Sequence, residues 1–262
     1  MDTDNALRLF KDIDQYKDCI YVMLSTLKKI VPQHTHAQGH ILVVLEGVAT
    51  IHVERSAFFI PNGYFVWIPS EINHRVAFEG RTIKVLNIYY PASFSQTPFF
   101  SEVGMYPIPS LLYHTIDLVS LSSSVYTESD WRFELLVTIH HILPHIIKEY
   151  KYSLRLPTSD QPFIEKIVDY VHQNYQEPLT AELVSQKVGI SVRTLSRYMR
   201  KELNMPFIEY LRTYRVIMAI KMIVKGEESI TSIAYLTGFE SLTTFSNSFY
   251  KVTGKRPSMF LK

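Results

Sequence analysis

Residues 180–203, TAELVSQKVGISVRTLSRYMRKEL, are echoed by residues 229–254, SITSIAYLTGFESLTTFSNSFYKVTG. In the first copy Ser185 and Gly189 stand four apart, and Ser191, Leu195 and Met199 follow at helical spacing. In the second, Ala234 and Gly238 stand four apart, followed by Ser241, Phe245 and Phe249. The offset is 49 residues before the turn and 50 after it, so the second turn is one residue longer. A small residue four positions before a glycine lets two short helices cross closely and then turn. This is the logic of a helix-turn-helix, whose second helix enters the major groove of DNA. Two such units in tandem predict a double-stranded DNA partner.

In SVRTLSRYMRKEL, Ser191 is placed to cap the helix and Leu195, Met199 and Leu203 to bury one face. Arg193, Thr194, Ser196, Arg197 and Arg200 are then left outward. Arginine binds guanine bidentately or clamps phosphate, and Ser and Thr are short enough for the groove floor. The competing reading is a merely solvated basic helix. The second copy has Ser241 as its cap and presents Leu242, Thr243, Ser246, Asn247 and Tyr250, with no arginine. It is expected to give phosphate and apolar contacts and to specify sequence less sharply. Between the copies, Pro206 to Lys225 predicts one long helix, with Phe207, Leu211, Val216, Ala219, Ile220 and Ile223 for packing and a stop at Gly226. Its length of about 30 Å is close to one turn of B-DNA.

Charge follows the same division. Residues 1–160 carry 13 Lys and Arg against 16 Asp and Glu; residues 161–262 carry 14 against 9. The basic half contains the repeat, as a polyanion partner requires. The single Cys19 excludes an internal disulfide framework and a four-cysteine zinc site, and fits a reducing compartment. The acidic N-terminus has no apolar signal core, and no apolar run reaches a membrane span. The expectation is a soluble cytoplasmic protein without a membrane partner.

From Cys19 to Tyr90, short runs rich in Val, Ile and Tyr (CIYVML, HILVVLEG, VATIHV, YFVWIP, TIKVLNIYY) alternate with turn residues, predicting an antiparallel sandwich or barrel. Pro91 to Pro109 reads as a connection, and residues 110–123 and 128–150 as helices, the second bent at Pro144. Those helices would serve either as a homodimer surface or as a cover for the sheet. Arg155 to Gln161 reads as a linker, with Asp160 capping a helix that starts at Pro162 and shows Ile164, Ile167, Val168 and Val171 on one face.

Residues 179–262 resemble the DNA-binding domain of the AraC/XylS transcriptional regulators. The resemblance is carried by the two small-xxx-Gly turns, by Arg215 and Ala219, and by Phe245-xxx-Phe249 … Gly254-xx-Pro257-xx-Phe260. Asn247 stands where an arginine is common in that family, and Asn204 where a glycine is usual. Residues 31–90 resemble the cupin-type domain that many such regulators carry. His34-x-His36-xxx-His40 followed by Gly47 overlays the first cupin motif, with His40 in place of Glu or Gln. Pro69-xxxx-His74 overlays the second, with Glu71 in place of a glycine. The combination also resembles a subgroup linked to efflux-transporter genes, which implies control of efflux or transport.

His34 and His36, two apart on a strand, would face one way, and His40 and His74 would join them. Four imidazoles converging in a barrel mouth suit divalent Ni, Zn, Cu or Fe; alternatively they line a small-molecule pocket. The expected architecture is α+β in two domains. Residues 1–155 form a cupin-like antiparallel β-barrel with following helices. Residues 156–262 form an all-α domain of two helix-turn-helix units joined by a long helix. The expected function is a sequence-specific regulator, not an enzyme, that senses a metal or small molecule; the resemblance implies activation through RNA polymerase. The rivals are a metal-dependent cupin enzyme with a DNA-binding tail, and a DNA-binding protein whose cupin domain is a purely structural dimeriser.

Overall fold

The computed structural model describes residues 13–16, 18–26, 30–119, 124–147 and 154–261. The chain divides into two compact units, Met1–Glu54 with Ile60–Lys151, and Arg55–Phe59 with Tyr152–Lys262. The five Val-, Ile- and Tyr-rich runs become β1 (Ile20–Thr26), β3 (Gly39–Val53), which joins HILVVLEG and VATIHV, β5 (Tyr64–Ile68) and β6 (His74–Tyr90); β2 (Val31–His34), β4 (Ser56–Pro61), β7 (Gly104–Pro107) and β8 (Ser124–Tyr126) lie outside those runs. In the first unit the strand order is β7-β5-β3-β6-β1-β8, with β2 beside β6, and the pairs are antiparallel.

Two short strands of this unit lie after Tyr90, beyond the stretch the sequence marked as β. β7 (Gly104–Pro107) lies inside the stretch that reads as a connection and pairs with β5. β8 (Ser124–Tyr126) pairs with β1. Each has only three or four residues, too few for a period-two pattern to stand out.

Alternation along the strands separates two faces. Ile41 and Val43, Phe65 and Trp67, and Leu86, Ile88 and Tyr90 share one core with α1 (Ser110–Val119) and α2 (Trp131–Ile146). Leu112, Ile116 and Val119 of α1 and Leu136, Ile139 and Leu143 of α2 supply the helical side of that core. The inner faces of both helices therefore cover the sheet. Trp67 Nε1 donates to the Phe100 carbonyl at 2.7 Å and the Tyr90 hydroxyl to the Leu136 carbonyl at 3.2 Å, so these large rings are buried without losing their polar bonds. Pro144 falls in the last turn of α2, which ends two residues later. Residues 120–123 and 148–150, over which both helices were expected to continue, lie outside the described residues. The opposite face of the sheet carries His40, Leu42 and Asn87, with Tyr89 paired to His40 in register.

In the second unit, Ser56, Ala57 and Phe58 of β4 pair with Pro157, Leu156 and Arg155 of β9 (Arg155–Pro157). α3 (Pro162–Asn174) starts at the expected proline, but its N-cap is Gln161 and Asp160 does not cap it. The carboxylate of Asp160 instead lies 3.8 Å from Arg55 Nε, at the surface, while Ser159 Oγ accepts from the Gln161 amide at 3.2 Å. Ile164, Ile167 and Val171 are buried as the helical spacing required, and Val168 is half-buried.

The repeat becomes α4 (Ala181–Val188) with α5 (Val192–Leu203), then α6 (Phe207–Lys225), then α7 (Ile230–Leu236) with α8 (Leu242–Thr253). All four repeat helices are capped by a hydroxyl: Thr180, Ser191, Ser229 and Ser241 each accept from the amide three residues on, at 3.0–3.2 Å. Gly189 ends α4 in the left-handed region at φ 78°, and Asn204 ends α5 there at φ 48°. α6 packs on α5 and also on α7 and α8. Phe249 is buried, and Phe260 in the closing turn that Pro257 begins lies 5.1 Å from its ring.

Arg215 on α6 ties these parts together. Its Nε donates to the Tyr175 carbonyl at 2.8 Å and its Nη2 to the Glu177 carbonyl at 2.6 Å, both just after α3. Its guanidinium also lies 5.8 Å from the Phe239 ring, in the α7–α8 turn. Gly238 adopts φ 82° against this group. A Cβ there would meet the Tyr175 carbonyl at 2.6 Å and Arg215 Nη2 at 2.8 Å. Left-handed backbone and lack of space thus coincide. Gly238→Ala is expected to cost about 1–3 kcal/mol of stability from backbone strain alone, read as a lower urea midpoint; an unchanged midpoint would contradict the crowding.

His172 on α3 stacks on Tyr214 at 3.9 Å and lies 3.0 Å from the Tyr210 hydroxyl. Burial brings its pKa down to about 4; Asp169 opposes that shift and Lys221 adds to it. The unfolded imidazole, at the ordinary 6.5, takes up a proton first. The stability of the neutral native form is therefore complete above that value and is lost as pH falls toward 4. Scanning calorimetry across this window is expected to show a shallower acid decline for His172→Gln than for the parent chain.

Candidate nucleic-acid interface and histidine cluster

On α5 the apolar face, Leu195, Met199 and Leu203, is buried, and Arg193, Ser196, Arg197 and Arg200 are exposed. Thr194 is half-buried and its hydroxyl lies 2.9 Å from that of the capping Ser191, so both hydroxyls already serve the helix start. The guanidinium of Arg197 extends over the Tyr198 ring at 5.5 Å. The three arginines fall at i, i+4 and i+7, one stripe of the helix.

On α8, Phe245, Phe249 and Val252 are buried, while Leu242, Thr243, Asn247 and Tyr250 are exposed and Ser246 is half-buried. Ser241 caps this helix and its hydroxyl also bonds that of Thr244 at 3.0 Å. Arg256 lies over the Tyr250 ring at 5.1 Å, just beyond the helix. Neither α5 nor α8 has an acidic residue in its first turn.

The histidines lie in the first unit. His34 ends β2 and is paired in register with His74, which begins β6; their rings are 4.3 Å apart. His36 is not on a strand. It sits in the β2–β3 loop and reaches the others because the chain bends there, not through strand alternation. The amide of Glu71 holds this loop by donating to the His36 carbonyl at 3.0 Å. Glu71 itself has φ 61°, so the left-handed backbone that suits a glycine is kept with a side chain present.

One nitrogen from each of His34, His36 and His74 lies within 4.8 Å of the others. His40, expected as a fourth member, falls outside this group. Its ring is 4.8 Å from His36 and 5.5 Å from His74, and stacks on Tyr89 at 4.9 Å. Its Nδ1 is buried and, among the described residues, makes no hydrogen bond.

In the three-membered group every Nδ1 faces a backbone carbonyl two residues away. His34 meets Pro32 at 2.8 Å, His36 meets Gln38 at 2.5 Å and His74 meets Ile72 at 2.8 Å. Donation from Nδ1 selects the tautomer whose Nε2 carries the lone pair, the arrangement that prepares an imidazole to bind a metal. Burial also favours the neutral form of His34 and His74. It brings His74 down to about 3, with His34 adding to the shift, and it lowers His34. His40 is held well below its ordinary value by burial and then by its three histidine neighbours. These are the properties of a metal-ready donor set, and the three residues could hold an ion.

Sequence reading missed Tyr89, which packs on both His36 and His40, and Gln38, which is fully buried and donates to the Tyr16 carbonyl at 2.8 Å. Only long-range strand register brings Tyr89 there, so no local pattern marks it.

The family described as AraC-like ligand binding domain matches residues 26–97, which contain the four histidines, and the family described as helix-turn-helix domain matches residues 184–262. The HTH-type transcriptional regulator NimR of Escherichia coli is 25% identical over 233 residues, spanning 88% of this chain and 82% of that protein. The HTH-type regulator YdeC of Bacillus subtilis is 21% identical over 255 residues, spanning 88% and 86%. The crystal structure of ToxT from Vibrio cholerae covers 92% of this chain and 95% of that one, at 17% identity and a TM-score of 0.38. The two family matches define a protein with a ligand-binding domain and a helix-turn-helix domain. The chain is an AraC-type transcriptional regulator, with an AraC-like, cupin-type ligand-binding domain followed by an AraC-type helix-turn-helix domain. Among the described residues no helix is long and apolar enough to cross a membrane.

Proposed function

We propose that this regulator is a one-component cytoplasmic sensor that reads promoter DNA with α5 and α8 and takes a divalent transition metal as its effector. The observation that carries the effector reading is the set of three converging imidazoles, each with Nδ1 facing a main-chain carbonyl. His34, His36 and His74 would hold the ion, which when bound would act as a local positive charge; imidazole donors suit Ni, Zn, Cu or Fe. The chain's residues do the rest: the carbonyls of Pro32, Gln38 and Ile72 fix the ring orientations, and Tyr89 backs His36 and His40.

A polar small molecule is the second reading. It is favoured by His40 Nδ1 and Gln38 Oε1, which are buried and, among the described residues, without hydrogen-bond partners. In either case the effector acts by population shift, binding one arrangement of the regulator better than another. The relatives are transcriptional regulators, which fits a sensor rather than an enzyme, and histidines stand at the matched cupin positions where cupin enzymes also use a carboxylate. A homodimer through the exposed Leu111, Tyr113 and Leu118 of α1 and recruitment of RNA polymerase complete the proposal.

On the DNA side, Ser191, Arg193, Thr194, Ser196, Arg197 and Arg200 of the first copy and Ser241, Leu242, Thr243 and Asn247 of the second form the contact surface. α6 has 19 residues and spans about 28 Å, which suits it to hold the two helices in successive major grooves. Arg197→Ala, a change at an exposed position, is expected to weaken specific binding by about 1–3 kcal/mol in gel-shift titration at fixed salt. Unchanged operator affinity would remove α5 from the interface. Elemental analysis of protein purified without a His tag is expected to find one ion per chain, lost in His34→Ala with His36→Ala, and operator affinity is expected to change on chelation. An ion-free protein whose response survives the double substitution would overturn the metal reading.

A further inference from the structure

α5 and α8 are the same helix in two versions, and their differences align position by position. Both have 12 residues, 192–203 and 242–253, set 50 apart. Their caps, Ser191 and Ser241, correspond, as do their buried residues Leu195 with Phe245, Met199 with Phe249 and Leu203 with Thr253. With the buried face in register, the outward stripe is in register too. Arg193, Arg197 and Arg200 correspond to Thr243, Asn247 and Tyr250, and all six are exposed. The residue before each stripe, Val192 or Leu242, is apolar and exposed in both.

We propose that the two halves of the operator differ in base composition, α5 reading a guanine-containing half-site and α8 an A·T half-site. This rests on the reading that both helices enter the major groove. In that groove guanine offers two acceptors, O6 and N7, which match the arginine fork. Adenine offers one acceptor and one donor, N7 and N6, which an asparagine amide matches and an arginine cannot. Thymine offers a methyl group, for which Leu242 and the methyl of Thr243 are suited. The first two turns of α8 contain no cation, and the nearest, Lys251, lies in its last turn. Arg256 lies beyond the helix and over the Tyr250 ring. The N-terminal residues of a recognition helix contact base edges, so α8 meets the groove floor with an amide, hydroxyls and apolar groups but no cation. Asn247 reads adenine, Leu242 and Thr243 read thymine, and Tyr250 stands where the last arginine of α5 stands.

The experiment starts by selecting operators from a random duplex library with the full chain at fixed salt. The selected duplex is then rebuilt half by half with 7-deazaguanine, which lacks N7, with 7-deazaadenine, or with deoxyuridine, which lacks the thymine methyl. Loss of about fivefold or more in affinity is expected from 7-deazaguanine in one half only, and from 7-deazaadenine or deoxyuridine in the other. Arg197→Ala should erase the first sensitivity and Asn247→Ala the sensitivity to 7-deazaadenine. Asn247→Arg should move selection in the A·T half toward guanine. Guanine dependence in both halves, or an Asn247→Ala chain with unaltered base preference, overturns the proposal while leaving DNA binding intact. Failure of any sequence to be enriched overturns the DNA reading, and the proposal with it.

Discussion

The guanidinium of Arg215 is the point on which the DNA-binding unit depends. A planar fork on the connecting helix donates to the Tyr175 and Glu177 carbonyls after α3 and at the same time lies against Phe239 in the turn of the second copy. Burial lowers its pKa, and Glu240 opposes the shift. Arginine is suited to this because its fork geometry is preformed and its charge is retained on partial burial. The close packing of Gly238 on the same carbonyl shows how little room the arrangement leaves.

The repeat was open to sequence reading because every feature that makes it is local. Capping hydroxyls, glycines in left-handed turns and apolar residues at helical spacing each act within a few positions. The features that escaped are those made by distance. β7 and β8 are short and defined by their partners β5 and β1. His36 joins its group through a loop held by Glu71. Tyr89 reaches the histidines only because β3 and β6 pair in one register. Asp160 is a good capping residue by type, yet it lies toward Arg55, and Gln161 occupies the cap. The sequence showed that the helices after the sheet had apolar faces; only the packing showed that those faces cover the sheet.

The two functional regions rest on opposite electrostatics. The α5 surface leaves its arginines in water. In the histidine group burial favours the neutral rings of His34, His40 and His74, and the carbonyls facing Nδ1 of His34, His36 and His74 choose the tautomer. Exposure therefore suits one region to a polyanion, and burial suits the other to a ligand that needs lone pairs.

The stiffness of α6 has a consequence for the DNA itself. Its 19 residues contain no proline or glycine, and its middle is buried among Tyr210, Val216, Ile217 and Ile220, so it offers no hinge. On the proposed reading, any misfit between the two half-sites must then be absorbed by the duplex. Base pairs lying between them, which no side chain reaches, would be selected for how readily they twist or bend, and flexible pyrimidine–purine steps there would raise affinity. A rigid spacer in the protein thus turns untouched DNA into part of the recognised sequence.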